Sequence, residues 1–170
     1  MNEKSAKEQF AEAYNRTLGL LSRREHSVVE LHRKLAVRGY DQEIQQQVIE
    51  QLHARGLQDD SEFACSFVES RRGRGFGPVK IAAELQQRGI DRDTARELLS
   101  DDGQWLVSCR QVAERKFGLN EENGVDPEDD STSFSSNPLG QAERLRRSRF
   151  LQQRGFTPSM IGQVLRNQNE

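Results

Sequence analysis

The sequence predicts an all-α fold: three tandem three-helix repeats, about nine helices, in an elongated, curved array. First, an Arg-Gly pair followed by a bulky apolar residue occurs three times, at Arg38-Gly39-Tyr40, Arg88-Gly89-Ile90 and Arg154-Gly155-Phe156. Second, no run of alternating β-branched residues competes with helical spacing. Third, only 34% of the 170 residues are apolar and 31% are charged. Such a polar chain favours small units that each bury a narrow stripe over one thick core.

A common period relates the three tripeptides. Gly39 and Gly89 lie 50 residues apart, and Gly89 and Gly155 lie 66 residues apart. If 16 residues of the second interval are an insertion, the rest of that interval is also 50 residues long. In this register, apolar residues recur four positions before each glycine and nine and ten positions after it. These positions hold Leu35, Leu85 and Leu151, then Val48, Leu98 and Val164, then Ile49, Leu99 and Leu165. Self-similarity of this kind is typical of tandem supersecondary units.

Each tripeptide predicts a helix, a three-residue turn and a second helix. A glycine just past a helix end adopts the left-handed backbone conformation without a Cβ clash. The arginine before it suits the negative end of the helix dipole. Two residues after the glycine stands Asp41, Asp91 or Thr157. The side-chain oxygen of such a residue can accept from the first free N–H groups of the next helix.

The first repeat is predicted to span residues 5–56. Apolar residues at helical spacing mark its first helix: Phe10, Tyr14, Leu18 and Leu21. Ser27, followed three residues later by Glu30, forms a capping box that begins the second helix. Asp41 then begins the third helix, as the turn chemistry above requires.

The second repeat is predicted to span residues 59–101. Asp60 caps its first helix, which carries apolar residues at helical spacing: Phe63, Phe67 and Val68. Pro78 suits the first position of the second helix, because that position needs no backbone N–H. The second helix carries Ile81 and Leu85, and Asp91 begins the third.

The third repeat is predicted to span residues 103–168. Its first helix is marked by Trp105, Val112 and Phe117, its second by a stripe of Leu145 and Leu151, and its third by the Thr157 cap. Residues 119–138 interrupt this repeat with Asn, Ser, Asp, Glu, Gly and Pro. Such a stretch buries too little apolar area to offset its ordering entropy, so we expect a long, flexible, acidic surface loop.

The net charge of −2 conceals an uneven distribution. Residues 119–138 hold six acidic residues and no Lys or Arg, which leaves 25 basic against 21 acidic residues elsewhere. Twenty of the 25 basic residues are Arg. This bias indicates either recognition surfaces, since Arg suits phosphates and carboxylates, or the base composition of the genome. The net charge therefore does not exclude an anionic partner, and the acidic insert could mimic phosphate or repel DNA.

Three basic clusters are the candidate partner-binding residues. They are Arg23 and Arg24; Arg71, Arg72, Arg74 and Lys80; and Arg144, Arg146, Arg147 and Arg149. Rows of Arg can neutralise phosphates or bind carboxylates of a protein. The alternative for each cluster is a solvated helix face with intrahelical ion pairs. The Gly-rich segment 73–78 is either a flexible turn or a turn that presents the second cluster to an anion.

The sequence offers little for catalysis or cofactor binding. His26, His32 and His53 have no partner at a zinc-ligand spacing, and Cys65 and Cys109 lie 44 residues apart. No phosphate-binding glycine loop matches a nucleotide fold. We therefore expect a non-enzymatic protein without metal or cofactor, whose cysteines stay reduced. No apolar run reaches the length of a membrane span, and the first residues lack a secretory signal, so we expect a cytoplasmic protein without membrane contact.

Three stretches resemble the bacterial recombination regulator RecX family. They are SRREHSVVELHRKLAVRGY at 22–40, LHARGLQDDSEFACSFVESR at 52–71 and GFGPVKIAAELQQRGI at 75–90. The resemblance covers residues 10–117 and resumes at 142–166. It implies tandem three-helix repeats, in agreement with the spacing. The acidic insert departs from the family pattern, which leaves open whether the third repeat contacts its partner in the usual way.

The resemblance also implies a function. A member of this family is expected to bind RecA filaments on DNA and to inhibit RecA ATP hydrolysis, strand exchange and cleavage of the SOS repressor. Weak direct DNA binding is a further expectation, and we expect a monomer. The alternative is a DNA-binding helical module that acts by competing for DNA. A nuclease is the third hypothesis, but no paired-carboxylate site is evident beyond the Asp59-Asp60 cap and the acidic insert.

Overall fold

The computed structural model describes residues 5–100, 103–118 and 140–166. Within them it contains nine α-helices and no β-strand, so the prediction of an all-α helical array is confirmed. The helices are α1 (Ala6–Leu21), α2 (Val28–Ala36), α3 (Gln42–Ala54), α4 (Asp60–Gly73), α5 (Pro78–Gln86), α6 (Arg92–Leu98), α7 (Gln104–Phe117), α8 (Gln141–Gln153) and α9 (Pro158–Arg166). The predicted insert at 119–138 lies outside the described residues, and the three repeat domains stay a prediction.

The helices group into two compact units. Among the described residues, the first unit comprises 5–70 and 82–99, and the second comprises 71–81, 100, 103–118 and 140–166. The first unit therefore contains α1, α2, α3 and α6, and the second contains α7, α8 and α9. Helices α4 and α5 contribute residues to both.

The core of the first unit lies where α1 and α2 pack on α3. Its most buried side chains, each at most 1% exposed, are Ala13, Leu31, Leu35, Val48 and Leu52. Leu35 and Val48 are register positions of the repeat. Burying one leucine contributes about 1.5–3 kcal/mol. A few such side chains per helix therefore hold the unit together, as the low apolar content requires.

All three predicted Arg-Gly turns are formed. Gly39, Gly89 and Gly155 have φ angles of 82°, 87° and 90°, in the left-handed region. After each glycine, the backbone N–H of the apolar residue donates to the leucine carbonyl four positions before that glycine, at 3.1 to 3.3 Å. The bond satisfies a carbonyl that the helix end leaves unpaired.

The capping residues after these turns differ in the number of hydrogen bonds that their side chains accept. The Asp91 carboxylate accepts from the backbone N–H groups of Asp93 and Thr94, both at 2.9 Å. The hydroxyl of Thr94 also donates to it, and these bonds lower the pKa of Asp91. Thr157 Oγ1 accepts from the N–H of Met160 at 3.3 Å. Asp41 has the extended backbone of a cap, but its side chain makes no capping bond to the described residues.

The prediction that Asp60 caps α4 is wrong, because Asp60 is already the first residue of that helix. Asp59 takes the capping role, and its carboxylate accepts from the N–H of Ser61 at 2.7 Å. Asp60 Oδ1 instead accepts from the N–H of Val28 at 2.9 Å and from the amide of Gln58 at 2.8 Å. This carboxylate therefore ties the start of α2 to the start of α4, within the first unit.

The Ser27–Glu30 capping box is only half formed. Ser27 Oγ accepts from the N–H of Glu30 at 3.2 Å, but the carboxylate of Glu30 pairs with two arginines instead. It is 5% exposed and lies 2.8 Å from Arg24 Nη1 and 3.3 Å from Arg88 Nε. Burial raises the pKa of Glu30, but the hydrogen bond and charge of Arg24 outweigh that effect and leave the pKa below its ordinary value. Arg88 also lies over Phe67, 4.5 Å from the ring centroid.

The core of the second unit lies where α7 and α8 pack on α9. Its buried side chains include Trp105, Cys109, Val112, Leu151, Phe156, Ile161 and Val164. Burial raises the pKa of Cys109 to about 12, so this thiol stays protonated and acts as a small apolar side chain.

Two backbone turns meet directly in the second unit. The N–H of Gly77 donates to the carbonyl of Arg154 at 2.8 Å, and the N–H of Val79 donates to that of Gly155 at 3.1 Å. A Cβ added at Gly77 would lie 2.6 Å from the backbone nitrogen of Phe156. The start of α5 can therefore pair with the turn after α8 only because glycine occupies both sides.

Candidate functional site

Arg23 and Arg24 lie in the turn between α1 and α2, and both are exposed. Arg24 donates to Glu30 and, at 2.7 Å, to the carbonyl of Glu25. Its side chain is therefore part of the fold of the first unit as well as a candidate contact. Arg23 has no such bond to the described residues and is the freer of the two predicted binding residues.

Two cations of the second predicted cluster lie over the ring of Phe76. The ammonium of Lys80 lies 4.7 Å from the ring centroid, and the guanidinium of Arg71 lies 5.5 Å from it. Cations over an aromatic face are attracted by the ring quadrupole. Arg74 is exposed and lies in the turn between α4 and α5. Phe76 was missed as a site residue, although its place among the cations in the sequence was a usable signal.

Arg72 points away from this cluster and onto α7. Its Nε donates to Ser108 Oγ at 3.2 Å, its Nη2 donates to Gln104 Oε1, and its guanidinium lies 5.3 Å from the centroid of Trp105. These contacts attach the end of α4 to α7 within the second unit. The geometry therefore favours a structural role for Arg72 over a partner contact.

Replacing Arg72 with alanine is expected to lower the free energy of unfolding by about 1–2 kcal/mol, because two hydrogen bonds and a cation–π contact are lost. Arg110→Ala is the control: Arg110 is an exposed arginine on α7, the helix that Arg72 contacts, and its removal should cost less than about 0.5 kcal/mol. Urea unfolding of both variants measures the difference. Equal stabilities would show that Arg72 is not structural.

The third predicted cluster lies on α8, a helix with polar residues on all sides. Among its side chains only Leu151 is buried. Arg147 Nε donates to Glu143 at 3.0 Å, and its guanidinium lies 5.0 Å from the centroid of Phe117. Arg146 lies 3.7 Å from Glu143. The intrahelical pairs that the sequence left as an alternative are therefore present for these two residues.

The predicted stripe of Leu145 and Leu151 is wrong. Leu145 is 52% exposed, whereas Leu151 is fully buried. Six residues advance a helix by about 600°, which places the two side chains roughly a third of a turn apart. Leu145 instead lines a shallow groove of about 420 Å³, together with Arg146, Arg149 and Phe150. We call this surface the α8 groove.

A second depression, the basic cleft, also lies in the second unit and shares Phe150 with the α8 groove. It has a volume of about 240 Å³ and is lined by Arg74, Gly75, Val112, Arg115, Lys116, Phe150 and Arg154. It gathers cations from the turn before α5, from α7 and from the end of α8. Of these four cations only Arg74 was predicted as a binding residue.

Arg154 is the central side chain of the basic cleft. Its guanidinium lies 5.2 Å from the centroid of Phe150 and 5.4 Å from that of Phe76. Its Nη1 donates to the carbonyl of Arg74 at 3.0 Å. The sequence assigned this residue to a helix end, and only its helical spacing from Arg147 hinted at another role.

Within residues 5–100, 103–118 and 140–166, no group of three His, Cys, Asp or Glu side chains is placed to hold a metal ion. In the same residues, no helix combines the length and apolar content that crossing a bilayer requires.

Comparison with known proteins gives consistent matches. Models of a protein family match residues 13–52, as "RecX, first three-helix domain", and residues 59–99, as "RecX, second three-helix domain". The regulatory protein RecX of Halorhodospira halophila (strain DSM 244 / SL1) is 43% identical over 145 residues, which are 85% of this chain and 80% of the relative. That of Xanthomonas campestris pv. campestris (strain B100) is 37% identical over 147 residues, covering 86% of this chain and 81% of the relative.

Solved structures show the same fold. The crystal structure of RecX from Lactobacillus salivarius superposes with a TM-score of 0.71 at 18% identity, covering 96% of this chain and 98% of the other. A second crystal structure of the regulatory protein RecX gives a TM-score of 0.69 at 20% identity, covering 92% and 72%.

Proposed function

This chain belongs to the RecX family of regulatory proteins, and we propose that it regulates recombination and the SOS response by binding RecA filaments on DNA. It acts by binding, without catalysing a reaction, and lowers RecA ATP hydrolysis, strand exchange and cleavage of the SOS repressor. It works in the cytoplasm, as a monomer. The relatives and family models confirm the family resemblance found in the sequence motifs. RecA as the partner is our inference from that resemblance.

The α8 groove is the observation that supports a protein partner. Leu145 is exposed beside Arg146 and Arg149, on a helix that buries only Leu151 among its own residues. An exposed apolar side chain with flanking cations fits a partner surface that offers an apolar contact with acidic residues around it. A RecA filament presents the same surface repeatedly. Several weak contacts can therefore act together.

The α8 groove is tested by reversing two of its charges. The double variant Arg146→Glu/Arg149→Glu is expected to need about tenfold more protein for half-inhibition of RecA ATPase on single-stranded DNA, which equals about 1.4 kcal/mol over two contacts. Both side chains are exposed, so the fold should survive, as circular dichroism can verify. Arg147 is left intact because it is held by Glu143 and Phe117, and Arg144 because it does not line the α8 groove.

The matched control is Arg92→Glu/Arg110→Glu, which changes the net charge by the same amount at two other exposed positions. It should inhibit within about twofold of the unchanged protein, because long-range charge effects are screened by salt. Wild-type protein that does not inhibit at any ratio would refute the proposed function. An α8 variant that inhibits normally would refute the assignment of this surface.

Competition for DNA is the second candidate function, favoured by the cations of the basic cleft. Order of addition distinguishes it from filament binding. A competitor for DNA loses its effect when RecA filaments are formed first, whereas a filament-binding protein still inhibits them. Retained inhibition of pre-formed filaments is the result that we expect.

A further inference from the structure

Two of the three Arg-Gly turns receive the start of a helix from earlier in the chain. In the first unit, a Cβ added at Gly89 would lie 3.3 Å from Cβ of Val29, the second residue of α2. In the second unit, a Cβ added at Gly155 would lie 2.6 Å from the backbone nitrogen of Lys80, the third residue of α5. In both turns, the first residues of a helix therefore lie directly on the glycine.

The third turn, Arg38-Gly39-Tyr40, receives no such helix start in the described part of the chain. No described atom beyond its chain neighbours lies within 4 Å of a Cβ added at Gly39. The turn and α1 line an open groove of about 590 Å³, the α1 groove, formed by Gln9, Glu12, Arg16, Arg38, Gly39 and Tyr40. In the second unit, the segment before α5 contacts a helix as well as a turn, because a Cβ added at Gly75 would lie 2.8 Å from Cγ2 of Val112 on α7. The α1 groove offers the same two walls, a helix and an Arg-Gly turn.

In the first unit, the charge at the third position of the helix matches the arginine of the turn. This position of α2 is Glu30, whose carboxylate lies 3.3 Å from Arg88 of the turn that receives the helix. On α5 it is Lys80, and that lysine and the arginine of its turn lie over one aromatic ring instead. On α8 it is again acidic, Glu143, and the α1 groove supplies Arg38. The start of α8 therefore carries the charge that suits this groove.

The start of α8 also has the backbone that such a contact needs. Before α5, Gly77 donates its N–H to the turn at 2.8 Å, and Val79, the second helical residue, does so at 3.1 Å. The equivalent residues on α8 are Gly140, which precedes the helix, and Ala142, and both are exposed. The first N–H groups of a helix have no acceptor within it. The carbonyls of a glycine turn can therefore accept from them.

From these correspondences we infer that the α1 groove binds the start of α8 in a second copy of this chain. The two copies use different surfaces, so the contact is head to tail. Repeat proteins join neighbouring repeats through one recurring interface, and here that interface continues from one chain to the next. One turn and one helix start should bury less than the roughly 1,000 Å² of a stable interface. We therefore expect a Kd of about 0.1–1 mM, so that the chain is a monomer at micromolar concentration, as proposed above.

The test is dilution of the isotope-labelled full chain from about 1 mM to about 0.05 mM, a range that spans the expected Kd, followed by NMR of the backbone amides. We expect the signals of Tyr40 in the α1 groove and of Ala142 and Glu143 on α8 to shift together. The signal of Arg110, exposed on α7, should stay in place. Spectra that do not change on dilution, or that change at only one of the two surfaces, overturn the inference.

A charge exchange tests the pairing itself. Arg38→Glu and Glu143→Arg each place like charges across the contact, so each variant alone should raise the Kd at least about fivefold. An equimolar mixture of the two variants should restore the dilution shifts, because each groove then meets an α8 of opposite charge. A mixture that associates no better than its separate components overturns the inference.

The matched controls are Arg92→Glu and Glu69→Arg, which make the same charge changes at other exposed positions. Each should keep the Kd within about twofold of the unchanged protein, because distant charges are screened by salt. Glu143→Arg also removes the pairs with Arg146 and Arg147. Such surface pairs contribute little to stability, and circular dichroism verifies that the fold persists.

RecA is the alternative occupant of the α1 groove, and the same spectra distinguish it. The inference does not rest on the proposed function, because self-association is measured without RecA. Groove signals that move only when RecA is added would assign the groove to that partner and overturn the inference. Dilution shifts in a protein that does not inhibit RecA ATPase would refute the proposed function alone. Inhibition without dilution shifts would refute the self-contact alone.

Discussion

Gly155→Ala is expected to destabilise the protein by about 3 kcal/mol. Two effects add at this position. A non-glycine residue in the left-handed conformation, here at φ of 90°, costs about 1–2 kcal/mol. The new methyl group would also lie 2.6 Å from the backbone nitrogen of Lys80, and relieving such an overlap costs about 1–3 kcal/mol. The start of α5 would then be forced away from the turn after α8, breaking the two backbone hydrogen bonds that join them.

Gly39→Ala is the matched control, because it occupies the equivalent position of another Arg-Gly turn. Its φ is 82°, but no atom lies within 4 Å of an added Cβ. The alanine should therefore cost only the conformational part, about 1–2 kcal/mol. Urea unfolding at pH 7 measures both variants. If Gly155→Ala costs no more than Gly39→Ala, the close backbone pairing at Gly77 and Gly155 is not a constraint on the fold.

Glu30→Ala is expected to cost about 2–3 kcal/mol. Removing one partner of a buried ion pair typically costs about 3–5 kcal/mol, and the value is lower here because Arg24 is half exposed and can rehydrate. Arg88 is only 24% exposed, so its charge would lose its carboxylate in a largely buried position. Glu12→Ala, which removes an exposed pair with Arg16, is the control and should cost less than about 0.5 kcal/mol.

Glu30 also predicts a pH dependence. The pKa of Glu30 is lower in the folded than in the unfolded protein. Its contribution to the free energy of unfolding is therefore complete above the unfolded pKa. It is lost as the pH falls through the folded pKa. The stability difference between wild type and Glu30→Ala should therefore shrink when unfolding is measured at pH 3 instead of pH 7. A difference that stays constant would show that the carboxylate charge is not what stabilises this site.

The fold could be predicted largely from the sequence because its signals are local. The three glycine turns, the leucine before each of them and the apolar positions after them are set by backbone conformation and helical spacing. The exceptions are instructive. Asp60 stands where a cap is expected, yet Asp59 does the capping, because the Asp60 carboxylate accepts from the backbone of Val28, elsewhere in the first unit, and from the side chain of nearby Gln58. The contact with Val28 joins residues 32 positions apart and has no periodic signature.

The candidate site was less predictable, because the sequence shows where cations cluster and not where they point. Arg71 and Arg72 are neighbours, but one contacts Phe76 and the other is bound to α7. The basic cleft draws Arg74, Arg115 and Arg154 from three separate segments. No linear spacing relates them. Only the packing of the second unit brings them together.

The repeated Arg-Gly turn assigns the closing of the helix and the making of side-chain contacts to different residues. The glycine and the leucine before it close the helix, and the arginine between them is not needed for that closure. The three arginines consequently differ: Arg38 is exposed, Arg88 joins a buried carboxylate, and Arg154 forms the centre of a cationic cleft. Each turn thus has the same backbone conformation, while the side chain before its glycine makes different contacts in each repeat. New contacts could be engineered at Arg38 with little risk to the fold, whereas the same exchange at Arg88 would disturb it.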